Sequence, residues 1–82
     1  MKKNNFKVYA TEKINECNTL MANQPMTSDL AKNIYEIACH LRFDCADMAN
    51  YNEELAINFY DKANALYYYV NNMYEFFNEM ED

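Results

Sequence analysis

The last third of the chain, from Ala56 to Met80, carries an apolar stripe whose spacing alternates between three and four residues. This spacing keeps one side of an α-helix facing one partner. Tyr60, Tyr67 and Tyr74 lie one heptad apart and widen the stripe. Such a wide apolar surface predicts a helix that packs against two neighbours, or against one neighbour and a binding partner. The stripe itself comprises Ala56, Phe59, Ala63, Leu66, Val70, Met73, Phe77 and Met80.

Two similar stripes upstream predict two further helices. Pro25 must end the first helix, because proline lacks an amide donor and disfavours a helical residue before it. Thr27 or Ser28 is expected to cap the second helix, and Asn52 the third. The three helices are expected at about residues 5–22, 29–49 and 53–80.

The fold class that follows is all-α, a small antiparallel three-helix bundle in a single domain of 82 residues. Glycine is absent and proline occurs once, whereas tight β-hairpins draw heavily on glycine. The hydrophobic content of 51% is too high for a disordered chain. Because the break near residues 50–52 contains neither glycine nor proline, two alternatives stay open. They are a helical hairpin and a long helix from Asp29 to Met80, either one stabilised by oligomerisation.

The net charge of −6 is unevenly distributed along the chain. Residues 1–13 hold four lysines against Glu12, which is typical of a solvated basic terminus. From Asp44 onward, nine acidic residues stand against Lys62 alone. This acidic part would repel phosphate groups, so direct binding to nucleic acid is not expected.

No catalytic or metal-binding pattern is visible, so we expect neither an enzyme nor a cofactor. His40 adjoins Cys39, and neighbouring helical residues point about 100° apart, which excludes a thiolate–imidazole pair within the helix. Cys17, Cys39 and Cys45 lack zinc-site spacing and are interpreted as small apolar groups. The candidate acid–base carboxylates, which lack a cleft that would raise a pKa, are Asp44, Asp47, Glu53 and Glu54.

The sequence predicts a cytoplasmic protein that does not enter a membrane. Its basic start leads into Phe6-Lys7-Val8-Tyr9 and not into the apolar run of a signal peptide. No stretch approaches the roughly 20 consecutive apolar residues of a membrane span. We therefore expect the thiols to be reduced.

Aromatic residues among the carboxylates predict a surface that binds another protein. Phe43 projects from the acidic face of the second helix, and Tyr68 occupies an outer position of the third. Tyrosine is enriched at interface hot spots, and carboxylates spaced along helices can imitate phosphates. Arg42 is expected to extend its guanidinium group to a carboxylate. The predicted partner-binding residues are Phe43, Asp44, Asp47, Asp61, Tyr68 and Glu75.

The overall profile of the chain is small, acidic and free of known motifs, with the thirteen asparagines and eight tyrosines of an AT-rich coding sequence. This profile resembles that of phage or mobile-element inhibitors, including anti-CRISPR proteins and other nucleic-acid mimics. It implies a non-enzymatic inhibitor, present in the host cytoplasm, that binds the basic groove of a host nucleic-acid-handling complex. The alternative is a structural or regulatory helical module whose apolar face binds a partner helix or a second copy, giving a homodimer.

Overall fold

Three α-helices joined by two short turns make up the described part of the chain. The computed structural model describes the backbone of residues 3–81 and the side chains of residues 5–79. Helix α1 spans Lys3–Asn23, α2 spans Ser28–Met48 and α3 spans Glu53–Glu81. The predicted all-α three-helix bundle is confirmed. The side chain of Met80, the last position of the predicted stripe, lies outside the described residues.

Both turns are fixed by the side chains that were expected to cap the following helices. Thr27 Oγ1 accepts a hydrogen bond from the Leu30 amide at 3.1 Å, at the start of α2. Asn52 Oδ1 accepts one from the Leu55 amide at 3.1 Å, at the start of α3. The long uninterrupted helix is therefore wrong, because the chain reverses between Met48 and the first turn of α3.

Helices α2 and α3 form an antiparallel hairpin with the largest interface in the bundle. Small side chains occupy much of that interface, and Ala38 and Ala63 are completely buried. Because alanine projects little from the helix, the two backbones can approach closely. We call the buried small residues of this interface the alanine seam, which comprises Ala31, Ala38, Cys45, Ala56 and Ala63.

Helix α1 lies along one side of the hairpin and runs antiparallel to α2. Near its start, Phe6 is buried and meets the ring of Phe59 edge-on, with 6.0 Å between the ring centroids. Further along, Cys17 packs in a second buried cluster with Ile34 and Val70. Its interface with the hairpin is much smaller than the one between α2 and α3.

The wide apolar surface of α3 packs against both neighbours, but part of it stays in contact with solvent. Tyr69 and Phe76 each expose more than half of their surface. No helix in the described range 3–81 has an apolar stretch long enough to cross a membrane.

Candidate protein-interaction surface

Five of the six predicted partner-binding residues are exposed to solvent, and the sixth is half-buried. Phe43 exposes 77% of its surface, more than any other large apolar side chain among the described residues. Tyr68 exposes 55% and contacts Tyr67 edge-on, with 5.3 Å between the ring centroids. The exposed carboxylates are those of Asp47, Asp61 and Glu75.

The half-buried residue is Asp44, which faces α1 and does not lie on an open outer face. The hydroxyl group of Tyr9 donates a hydrogen bond to Asp44 Oδ2 at 2.5 Å. Burial, followed by this hydrogen bond and the charge of Asp44, raises the pKa of Tyr9 to about 12. Asp44 therefore connects two helices of the bundle, and its carboxylate is not free in the way the helical pattern predicted.

An apolar groove runs between α2 and α3 on the side of the hairpin opposite α1. Asp44 and Phe59 face α1, and Ala46 and Ile57 lie two residues away from them, about 200° around their helices. Two adjoining hollows of about 260 Å³ and 130 Å³ share Ala46 and Tyr60 as lining residues. We call this feature the hairpin groove and define it by Cys39, Phe43, Ala46, Ile57 and Tyr60.

An arginine held among tyrosines forms one wall of the hairpin groove. The guanidinium carbon of Arg42 lies 4.1 Å from the ring centroid of Tyr67, within cation–π range. Arg42 Nη2 donates to the hydroxyl oxygen of Tyr60 at 3.4 Å, and this hydrogen bond raises the pKa of Arg42. The expected contact between Arg42 and a carboxylate is therefore wrong, because the tyrosine rings of α3 take its place.

Two buried side-chain polar atoms have no hydrogen-bond partner among the described residues, Arg42 Nε in this cluster and Asn64 Oδ1 on α3. An unsatisfied buried polar atom costs about 1–3 kcal/mol. Tyr35 extends the cluster along the hairpin, with its hydroxyl oxygen 3.3 Å from that of Tyr67. This hydrogen bond is the main reason that the pKa of Tyr35 is raised to about 12.

The cysteines differ in their access to solvent. Cys17 and Cys45 are buried, and burial is the main cause that raises the pKa of each thiol to about 11. Cys39 is half-buried and lines the hairpin groove. Burial therefore opposes thiolate formation at Cys17 and Cys45. The more accessible thiol of Cys39 can be alkylated, and its alkylation rate can report whether the groove is occupied. Among residues with described side chains, no three histidine, cysteine or acidic groups are placed to hold a metal ion.

Comparison with protein-family models, with curated proteins and with solved structures yields no match to this chain. The functional interpretation therefore depends on the residues and their geometry.

Sequence reasoning identified Phe43 but missed the groove beside it. Ile57 lies outside the apolar stripe of α3, and Ala46 lies outside the main stripe of α2. Tyr60, which widens the apolar stripe of α3, exposes 37% of its surface and lines the groove. The available signal was that Phe43 and Ile57 are large apolar residues on otherwise polar helix faces.

Proposed function

We propose that this chain is a non-enzymatic, acidic inhibitor of phage or mobile-element origin that binds a host nucleic-acid-handling complex in the cytoplasm. It acts in the manner of anti-CRISPR proteins and nucleic-acid mimics, by occupying a basic groove with carboxylates. The observation that carries this proposal is the outer stripe of α3, where Asp61, Tyr68 and Glu75 are exposed at one-heptad intervals.

The outer stripe has dimensions suited to such a partner. Asp61 and Glu75 are fourteen residues apart, which corresponds to about 21 Å along a helix. Charge attraction acts over a Debye length of about 8 Å at physiological salt, so the stripe would steer a basic groove before contact. Tyr68 lies between the two carboxylates and offers a rigid aromatic ring for close packing.

The proposal predicts that reversing Asp61 and Glu75 to lysine abolishes capture of the partner. Immobilised wild-type protein is exposed to host lysate at low salt, and the captured complexes are identified by mass spectrometry. We expect the captured partner to be a nucleic-acid-handling complex that heparin releases from the immobilised protein. We also expect the free protein to inhibit the nuclease or binding activity of that complex. Asp44 is left unchanged because its carboxylate accepts the hydrogen bond from Tyr9.

The matched control is the pair Glu12→Lys and Glu36→Lys, which alters net charge equally at two exposed positions outside the outer stripe. This control should retain inhibition, since the proposal depends on the position of the charges. Equal loss in both pairs would indicate a general charge effect. Capture that resists heparin, or inhibition that survives the Asp61 and Glu75 reversal, would contradict the proposal.

The second candidate function is a helical module that self-associates through its apolar face, which the exposed Tyr69 and Phe76 favour. A mass that rises with protein concentration in sedimentation equilibrium would support it over the inhibitor.

A further inference from the structure

The hairpin groove holds more exposed apolar surface than its position in a small bundle requires. Phe43 and Ile57 expose 77% and 52% of their surfaces, and Tyr60 stands between them at the seam of the two helices. Isolated exposed apolar residues are common, but neighbouring ones around a concave surface mark interaction sites. The groove is therefore a second candidate docking site, which has only Asp61, at its rim, in common with the outer stripe of α3.

The shape of the groove fits a helix laid along it. Cys45 and Ala56, which are buried, lie at its floor. Phe43 lines the groove from α2 and Ile57 lines it from α3, and the small side chains of Ala46 and Ala49 complete the lining on α2. Cys39 and Ala49 are ten residues apart, so the α2 side of the groove is about 15 Å long, or just under three helical turns. Helix-in-groove recognition uses apolar anchors over this length.

The rim of the groove is acidic on both sides. Asp47 follows Phe43 by one helical turn, and Glu53 and Asp61 lie one turn before and after Ile57. All three carboxylates are exposed. The only cation between residues 39 and 61 is Arg42, whose guanidinium group is directed to the tyrosines. Charge complementarity thus requires basic residues on either side of the apolar stripe of an incoming helix.

We propose that the hairpin groove binds a basic amphipathic α-helix of the partner protein. This helix places aliphatic side chains between Phe43 and Ile57, and its lysines or arginines contact Asp47, Glu53 and Asp61. The inference rests on the proposed function only in taking a basic protein as the partner. A groove-to-groove contact with a second copy of this chain is disfavoured, because both rims carry the same carboxylates and would repel each other.

The test uses a synthetic peptide of about 18 residues, long enough to be helical, with leucines at three–four spacing and flanking lysines. A fluorescent label reports binding by anisotropy, and the alkylation rate of Cys39 reports occupancy of the groove. We expect the peptide to bind wild-type protein and to slow that alkylation. A peptide of the same composition with scrambled leucines should bind at least about tenfold more weakly, since charge alone remains.

The double variant Phe43→Ser and Ile57→Ser should also weaken binding at least about tenfold, mainly through faster dissociation. The matched control is Val8→Ser with Phe76→Ser, which truncates two comparably exposed apolar side chains outside the groove. Circular dichroism and melting of both variants verify that the bundle is intact.

Three results would overturn the inference. They are no binding of the designed peptide, equal binding of the scrambled peptide, and wild-type affinity in the groove variant. A concentration-dependent dimer that the groove variant abolishes would assign the groove to a second copy instead. Failure of the inhibitor proposal is distinguishable, because it appears as capture that resists heparin or as inhibition that survives the single substitution Glu75→Lys, and Glu75 lies outside the groove.

Discussion

At the scale of single residues, the hydrogen bond between Tyr9 and Asp44 shows how one contact holds a carboxylate of the polar face of α2 against α1. Asp44 belongs to the polar face of α2, so the helical pattern alone placed it outside. The Tyr9 hydroxyl group reaches it from α1 at 2.5 Å. Hydrogen bonds to charged groups are stronger than neutral ones, so this contact helps to fix the smaller α1 interface.

We expect Tyr9→Phe to lower the free energy of unfolding by about 1 kcal/mol, somewhat below the roughly 1.5–3 kcal/mol of a hydrogen bond to a charged group, because the site is partly exposed. The ring packing is kept, so the loss reports the hydroxyl group alone. Urea denaturation measures it, with Tyr51→Phe as the control, since Tyr51 exposes 75% of its surface. Equal midpoints for Tyr9→Phe and wild type would mean that the hydrogen bond does not stabilise the bundle.

At the scale of elements, the alanine seam determines how closely α2 and α3 pack. Ala38 and Ala63 have no exposed surface, and no larger side chain fits there without separating the helices. The close approach also brings Tyr67 under Arg42 and beside Tyr35. The seam therefore positions both the core and the floor of the hairpin groove.

Enlarging the seam should destabilise the bundle. We expect Ala63→Leu to cost about 1–3 kcal/mol through overpacking, although leucine is nearly as good a helix former as alanine. Ala65→Leu makes the same change on the exposed side of α3 and should alter stability by about 0.5 kcal/mol or less. Thermal melting of the two variants gives the comparison. Similar melting temperatures for both would place Ala63 outside the tightly packed core.

At the scale of the whole molecule, the titrating groups of the core make the fold sensitive to alkaline pH. Folding raises the pKa of the Cys17 and Cys45 thiols from 9.0 to about 11, and the pKa of Tyr9 from 10.0 to about 12. Each group is neutral when protonated, and the folded state holds the proton more tightly than the unfolded chain does. Their contribution to the free energy of unfolding is therefore fully present below about pH 9 and is lost as the pH rises towards 12.

We expect the urea midpoint to fall continuously between about pH 9 and pH 11. Cys45→Ala removes one titrating group, so the urea midpoint of this variant should fall less steeply with pH than that of the wild type. This holds whatever the variant's stability at neutral pH. The slope against pH is the measured quantity, and circular dichroism follows the transition. A midpoint that stays constant to pH 11 would show that these thiols titrate alike in the folded and unfolded chain.

The number of helices, their approximate limits and most core positions were determined by the sequence itself. Periodic apolar residues, Pro25 and the caps at Thr27 and Asn52 act within a few residues along the chain, so they can be read without knowing the packing. The exposed positions of Phe43 and Tyr68 also follow from the pattern of their own helices.

Tertiary structure alone decided which helix faces come together. Asp44 contacts Tyr9, and Arg42 contacts the tyrosines of α3 in place of a carboxylate. Phe43 and Ile57 line adjoining hollows that share Ala46 and Tyr60. The periodicity of a single helix defines which residues share a face. It does not determine how far two packed helices are shifted along their axes or rotated relative to each other. Those two quantities depend on how the alanine seam and Phe6 pack, and they set the partners of every side chain at the interfaces.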